Sequence, residues 1–221
     1  MKDASFIQSL FSIFLLFSDT ASVAADPNLL QDLCVADLNS TLRVNGFACK
    51  PTATVSEADF SYAGLATAGD TNSTVVGSKA SAATVEKIPG LNTLGISMAR
   101  VDYAPGGVNP PHTHSRATGI AFVLEGTLEV GFITTANKLI SKTISAGEVF
   151  VFPRGLVHFQ RNTGTTPAAA LAAFNSQLPG TQSLALTLFT ASPAVPEDVL
   201  EKAFQIGSNE VDKIKDRLHP K

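Results

Sequence analysis

Gly106-Gly-Val-Asn109-Pro-Pro-His112-Thr-His114 and, further along, Gly147-Glu-Val-Phe-Val-Phe-Pro153-Arg-Gly155-Leu-Val-His158-Phe-Gln-Arg-Asn162 are the two segments whose reading decides the fold. The chain has only four histidines, and three of them fall in these Gly- and Pro-punctuated segments. On an extended strand residues i and i+2 share a face, so His112 and His114 project the same way and can grip one ion without distorting the backbone. In the second segment a strand, a Pro-Arg-Gly turn and another strand would turn His158 back toward the same interior as a third ligand. A His-x-His pair alone is weak evidence, and a lone histidine is more often a hydrogen-bonded core or surface residue. The weight lies in the two segments occurring together.

Around them the texture is that of short strands. Leu94–Tyr103, Gly119–Leu124, Thr127–Ile133, Leu139–Ile144, Val149–Phe152, His158–Arg161 and Ala168–Phe174 are strand-length runs bounded by Gly, Pro, Asn or Ser. That rhythm belongs to an antiparallel sandwich or barrel. The Ala-rich run is ambiguous, because Ala favours helix, but its length and the flanking Pro167 and Asn175 favour strand. Residues 55–80 are small, polar and turn-rich, which predicts an extended arm with little regular structure. The tail changes period: one helix is expected from Pro196, carrying Val199, Leu200, Ala203 and Phe204. Another is expected from Ser208 or Asn209, carrying Val211, Ile214 and Leu218. The resulting division is a leader over 1–25, an arm over 26–87, a barrel over 88–192 and a helical tail over 193–221.

With 221 residues, 44% hydrophobic composition and a formal charge of -3, the chain can bury a core. No Lys/Arg cluster offers a footprint for nucleic acid or an anionic membrane. Lys2, the apolar run Phe6–Phe17 and the small residues Ala21 to Ala25 read as an export signal, too short for a bilayer span of about 20 residues. Export would put Cys34 and Cys49, the only cysteines, in an oxidising compartment with no other partner. A disulfide between them is expected, worth on the order of 3 kcal/mol, with two free thiols as the plainer alternative. Asn39-Ser-Thr41 and Asn72-Ser-Thr74 are glycosylation sequons that secretion would make usable.

The spacing Gly106-x5-His112-x-His114 and Gly147-x5-Pro153-x-Gly155-x2-His158-x3-Asn162 resembles the paired motifs of the cupins. More narrowly, Gln31–Asp37, Val44–Lys50, Pro110–His114, Phe152–Gln160 and Phe174–Gly180 resemble the plant germins and germin-like proteins across essentially the whole mature chain. The resemblance implies an all-β fold, a single cupin jelly-roll barrel with a disulfide-stapled N-terminal arm and short C-terminal helices. It also implies an apoplastic location, a manganese site on His112, His114 and His158, and a homo-oligomer, a trimer of dimers with interlocking tails.

Two positions depart from the family pattern. Where the family motif carries a glutamate ligand this chain has Gly119, with the register intact because Gly126 falls at the motif's closing glycine. Glu125 shares the parity of position 119, but six strand residues span roughly 20 Å, so it cannot substitute. The oxalate-oxidising germins carry two substrate-orienting asparagines; this chain keeps Asn109 and has Ala99 at the other place. Together Asn109, Gly119 and Ala99 mark the expected substrate pocket. An all-imidazole site suits zinc, copper, nickel or iron better than manganese. The expected function is a secreted metal-dependent oxidoreductase, superoxide-dismutating rather than oxalate-oxidising. The alternatives are a non-catalytic receptor or nutrient-reservoir protein, or a barrel repurposed for a specialised metabolite.

Overall fold

The computed structural model describes residues 31–43 and 45–218, so the leader expected over 1–25 lies outside the described residues. Ten strands form two antiparallel five-stranded sheets. The first has the order β1 (Ser78–Ala83), β2 (Ser97–Tyr103), β9 (Ala168–Phe174), β4 (Gly119–Glu125), β7 (Val149–Phe152). The second has the order β10 (Thr181–Ser183), β3 (Val108–His114), β8 (His158–Asn162), β5 (Thr127–Ile133), β6 (Leu139–Ser145). The chain switches sheet at nearly every connection, which gives the jelly roll its long-range pairings: β2 with β9, β3 with β8. The fold is the cupin sandwich, all-β with a few short helices.

Two-residue alternation sets what faces inward. Along β4, Gly119, Ala121 and Val123 are buried while Ile120, Phe122 and Leu124 are exposed. Val123, Val130 and Ile144 are fully buried, and Leu128 nearly so, in one core that continues through Phe152 to the histidines. Each such side chain contributes roughly 1.5–3 kcal/mol by leaving water. The alternation fails at one informative place. Register shifts between Val123 and Glu125, and Glu125 is exposed, so parity does not carry it inward at all.

Cys34 and Cys49 are bonded, with Cα atoms 4.8 Å apart. Their loop is hooked to the barrel by Asn92, fully buried, whose Nδ2 donates to the Phe47 carbonyl (2.9 Å) and whose Oδ1 accepts from the Phe47 N–H (3.2 Å) and from Gln177 Nε2 (3.2 Å). The following arm is more ordered than its composition suggests. Short turns of 3-10 helix occupy Thr52–Thr54, Glu57–Phe60 and Thr71–Ser73. Asp59 receives an ion pair from Lys50 at 2.7 Å and the Ser56 N–H, and Asp102 takes the Gly69 N–H at 2.7 Å and Arg100 Nε at 2.9 Å. Strand β1 was not read from the sequence. Ser-Lys-Ala-Ser-Ala-Ala carries no β-branched residue, and only its six-residue register with β2 imposes the extended form.

After β10 come α1 (Leu184–Phe189), also missed by the sequence reading because it is too short for a period to show, then α2 (Glu197–Phe204) and α3 (Ser208–Leu218). The tail helices bury Phe189, Leu200 and Val211 against one another with Ile214 and Leu218, while Val199 and Phe204 stay about half exposed. No helix among the described residues is long and apolar enough to cross a membrane.

Candidate metal centre

The three histidines converge because of where the sheet register puts them. His112 and His158 are cross-strand partners on β3 and β8, and His114, two residues on, shares their face. Ring centroids lie 4.1 Å apart for His112 and His158, 5.1 Å for His112 and His114, and 5.0 Å for His114 and His158. One ligating nitrogen from each falls within 4.8 Å of the others, and all three side chains are buried.

Each imidazole is held by its other nitrogen. His112 Nδ1 donates to the Pro110 carbonyl and His158 Nδ1 to the Leu156 carbonyl, both at 2.8 Å and both two residues upstream. A carbonyl can only accept, so these contacts fix the proton on Nδ1 and leave Nε2 with its lone pair. His114 Nδ1 meets the Thr181 hydroxyl at 3.0 Å, and Thr181 is its register partner on the edge strand β10. No Nε2 has a hydrogen-bond partner among the described residues. The lone pairs so freed on His112 and His158 repel one another in the absence of a cation, and outer hydrogen bonds of this kind orient histidines that ligate metals. The donor set therefore fits a divalent ion.

Burial pushes the pKa of all three down. For His114 it falls to about 3, chiefly by desolvation and then by the charges its two neighbours would carry. His158 falls to about 4, again by desolvation first and His112 second, while His112 is lowered by desolvation against the pull of Pro110. The histidines are neutral at physiological pH, the form in which imidazole binds metal.

The nitrogens open onto a cavity of about 130 Å³. Asn109, Gly119 and Ala99 all line it. A Cβ on Gly119 would lie 3.2 Å from the Phe174 ring, which itself sits 4.7 Å from the His114 ring. The place a side chain at 119 would start from is thus bordered by an aromatic edge. Phe152 stacks on His158 at 4.6 Å. Gln160 Oε1 accepts from Asn109 Nδ2 at 2.7 Å and, more weakly, from the Tyr103 hydroxyl at 3.5 Å, and burial raises the Tyr103 pKa so that the phenol stays protonated. Tyr103, Gln160, Phe152 and Thr181 were not singled out from the sequence. Asn162, the last residue of the second motif, lies outside the cavity and clamps the Ala104 and Thr166 carbonyls. Asn39 and Asn72 are exposed in turns.

A sandwich with a buried histidine triad at one end defines a class, and sequence comparison agrees: the cupin family model matches residues 63–212. Germin-like protein 5-1 of Oryza sativa subsp. japonica is 68% identical over 95% of this chain and 93% of its own length. Germin-like protein subfamily 2 member 2 of Arabidopsis thaliana is 64% identical over 91% and 92%. Among solved structures, an oxalate oxidase in complex with the substrate analogue glycolate superposes with a TM-score of 0.83 at 47% identity, covering 87% of this chain and 98% of that one. The chain belongs to the germin-like branch of the cupins.

Proposed function

We propose that the protein is a secreted, metal-dependent oxidoreductase acting on a small ligand, with superoxide dismutation as its activity and His112, His114 and His158 as the metal ligands. The observation that carries this reading is the convergence of three buried imidazoles, each tethered at Nδ1, with the protons of His112 and His158 fixed there so that their Nε2 lone pairs are free to ligate. A redox-active ion held there would supply one-electron exchange. Manganese is the ion the family resemblance implies, and zinc, copper or iron suit an all-imidazole set better. The protein's own part is to orient the imidazoles, exclude bulk water and, through Asn109 and Gln160, present polar groups to whatever occupies the cavity.

Oxalate oxidation is not expected. The cavity lining holds no Lys, Arg, Asp or Glu among the described residues, and Gly119 and Ala99 replace the family's ligand and substrate-orienting amide. Gly119 also favours a second reading, a protein that holds metal without turnover in a receptor or reservoir role. The bonded Cys34 and Cys49 support export to an oxidising compartment, where Asn39 and Asn72 would be available to glycosylation. Val199 and Phe204 on α2 offer apolar surface for the interlocking trimer of dimers.

The test is metal quantification on protein purified without chelator or nickel resin, followed by superoxide scavenging at measured occupancy. Near-stoichiometric metal that disappears in His158→Ala supports the site, and scavenging proportional to a redox-active metal supports the activity. Metal without turnover leaves the second reading. Absence of bound metal after loading overturns both.

A further inference from the structure

The wall facing the histidines is unusual in composition. In the β1-β2-β9-β4 sheet, Ala82 is the register partner of Ala99, Ala99 of Ala172, and Ala172 of Ala121. Four alanines thus lie side by side across four strands, all lining the cavity. The row ends at an opening. Ala82 and its neighbour Ala80 share the inward parity of Ala99 and Val101, to which they pair, yet both are exposed, because β1 is an edge strand. Opposite the row stand the three buried histidines, and beside them Gln160 and Asn109, which are hydrogen-bonded to each other and line the cavity with the Tyr103 hydroxyl.

We infer that this chamber is a binding site for a small, flat, uncharged organic molecule of about one aromatic ring, a phenol in its simplest form, which enters over Ala80 and Ala82 and lies along the alanine row. Three features select that class. The volume, about 130 Å³, is close to that of an apolar cavity of about 150 Å³ known to accept benzene. The lining carries no acidic or basic side chain other than imidazole, so the protein's own side chains offer a charged guest no counter-charge for its lost hydration, whereas an uncharged guest needs none. The floor is flat and apolar while the far wall offers one amide pair for a single hydroxyl, the arrangement of an apolar pocket with a few convergent polar groups. The inference deepens the metal-centre reading by naming what shares the chamber with the ion, but the alanine row is independent of the ion.

Phenol binding is measured by ligand-observed NMR titration on the full chain, with and without metal, in parallel with metal content and thermal melting. Saturable binding is expected, weakened at least about ten-fold by Ala82→Leu at the mouth and by Ala172→Leu in the middle of the row, since each fills the trough with added carbons. Ala82→Ser, similar in size, should stay within about three-fold of the parent on the same steric argument. Ala82 sits on an exposed edge strand, so its leucine variant decides the matter if Ala172→Leu does not fold. Unchanged phenol affinity in folded Ala82→Leu, or no phenol binding by a metal-replete parent, overturns the inference. Phenol binding that depends on the alanines in a protein whose histidines take no metal upholds it and overturns the metal-centre reading instead.

Discussion

The two ends of the sandwich share strands, obey the same alternation and reach opposite results. On β4 the inward positions run Gly119, Ala121, Val123; on β8 they run His158, Gln160, Asn162. Toward Val123 the space is filled by Leu128, Val130 and Ile144, and no polar side chain is needed beyond Asn162, which ties down two loop carbonyls. Toward Gly119 the side chains shrink on one sheet and turn polar on the other, and a cavity forms between them. Strand periodicity therefore fixes which side chains meet. Their size and donor chemistry decide whether the meeting is a core or a site.

Mutations at the two ends should separate stability from metal binding, and the largest effect lies at the packed end. Ile144 is fully buried, and Ile144→Ala should cost about 2–5 kcal/mol of stability with metal affinity essentially unchanged in the protein that remains folded. Denaturant melts beside metal titrations would check it. A comparable loss of metal affinity would show that the ends are mechanically one unit.

Acid should act at the other end. Because His114 and His158 titrate near 3 and 4 in the folded metal-free protein rather than at 6.5, the unfolded chain takes up their protons first as pH falls. Their contribution is fully present above about pH 6.5 and is lost progressively as pH drops toward 4 and below. Melting temperatures of the metal-free protein should decline over that window, and His158→Gln should decline less steeply. An identical slope in both would remove the histidines from the explanation.

Gly119→Glu sharpens the contrast by adding back a carboxylate. Its Cβ needs the Phe174 ring, which packs on His114, to yield by a few tenths of an ångström. Manganese affinity should rise ten-fold or more, about 1.4 kcal/mol, because an oxygen donor and a compensating charge join the imidazoles. Titration of manganese against zinc in parent and variant reads it. A variant as stable as the parent with no gain would mean that position 119 does not reach the ion.

The smallest change concerns a single outer contact. Thr181→Val keeps the shape but removes the hydroxyl from His114 Nδ1, and metal affinity should fall by about ten-fold, the low end for such contacts. The matching valine at Thr113, next to His114 on β3 but of opposite parity, serves as the control.

These predictions also trace what could be read from the chain before its structure. His112 and His114 were legible because a period of two needs no partner strand, and the turn before His158 is written in Pro153 and Gly155. The carbonyls that hold His112 and His158 are local, two residues upstream, but a backbone acceptor leaves no mark in a sequence. Thr181 was illegible because its role comes from β10 pairing with a strand far upstream. Strand β1 and the alanine row were hidden for a related reason: alanine signals helix in isolation, and only register across four strands makes it a floor.

The dependence of His114 on Thr181 bears on when the site can come into being during synthesis. A chain made from its N-terminus exposes His112 and His114 early, but β8 and then β10 must be made before both ring partners exist. Pairings this distant in sequence form slowly and late. Metal capture at this triad would accordingly be a closing event in the life of the nascent chain, and an ion supplied after release should load as well as one present throughout translation.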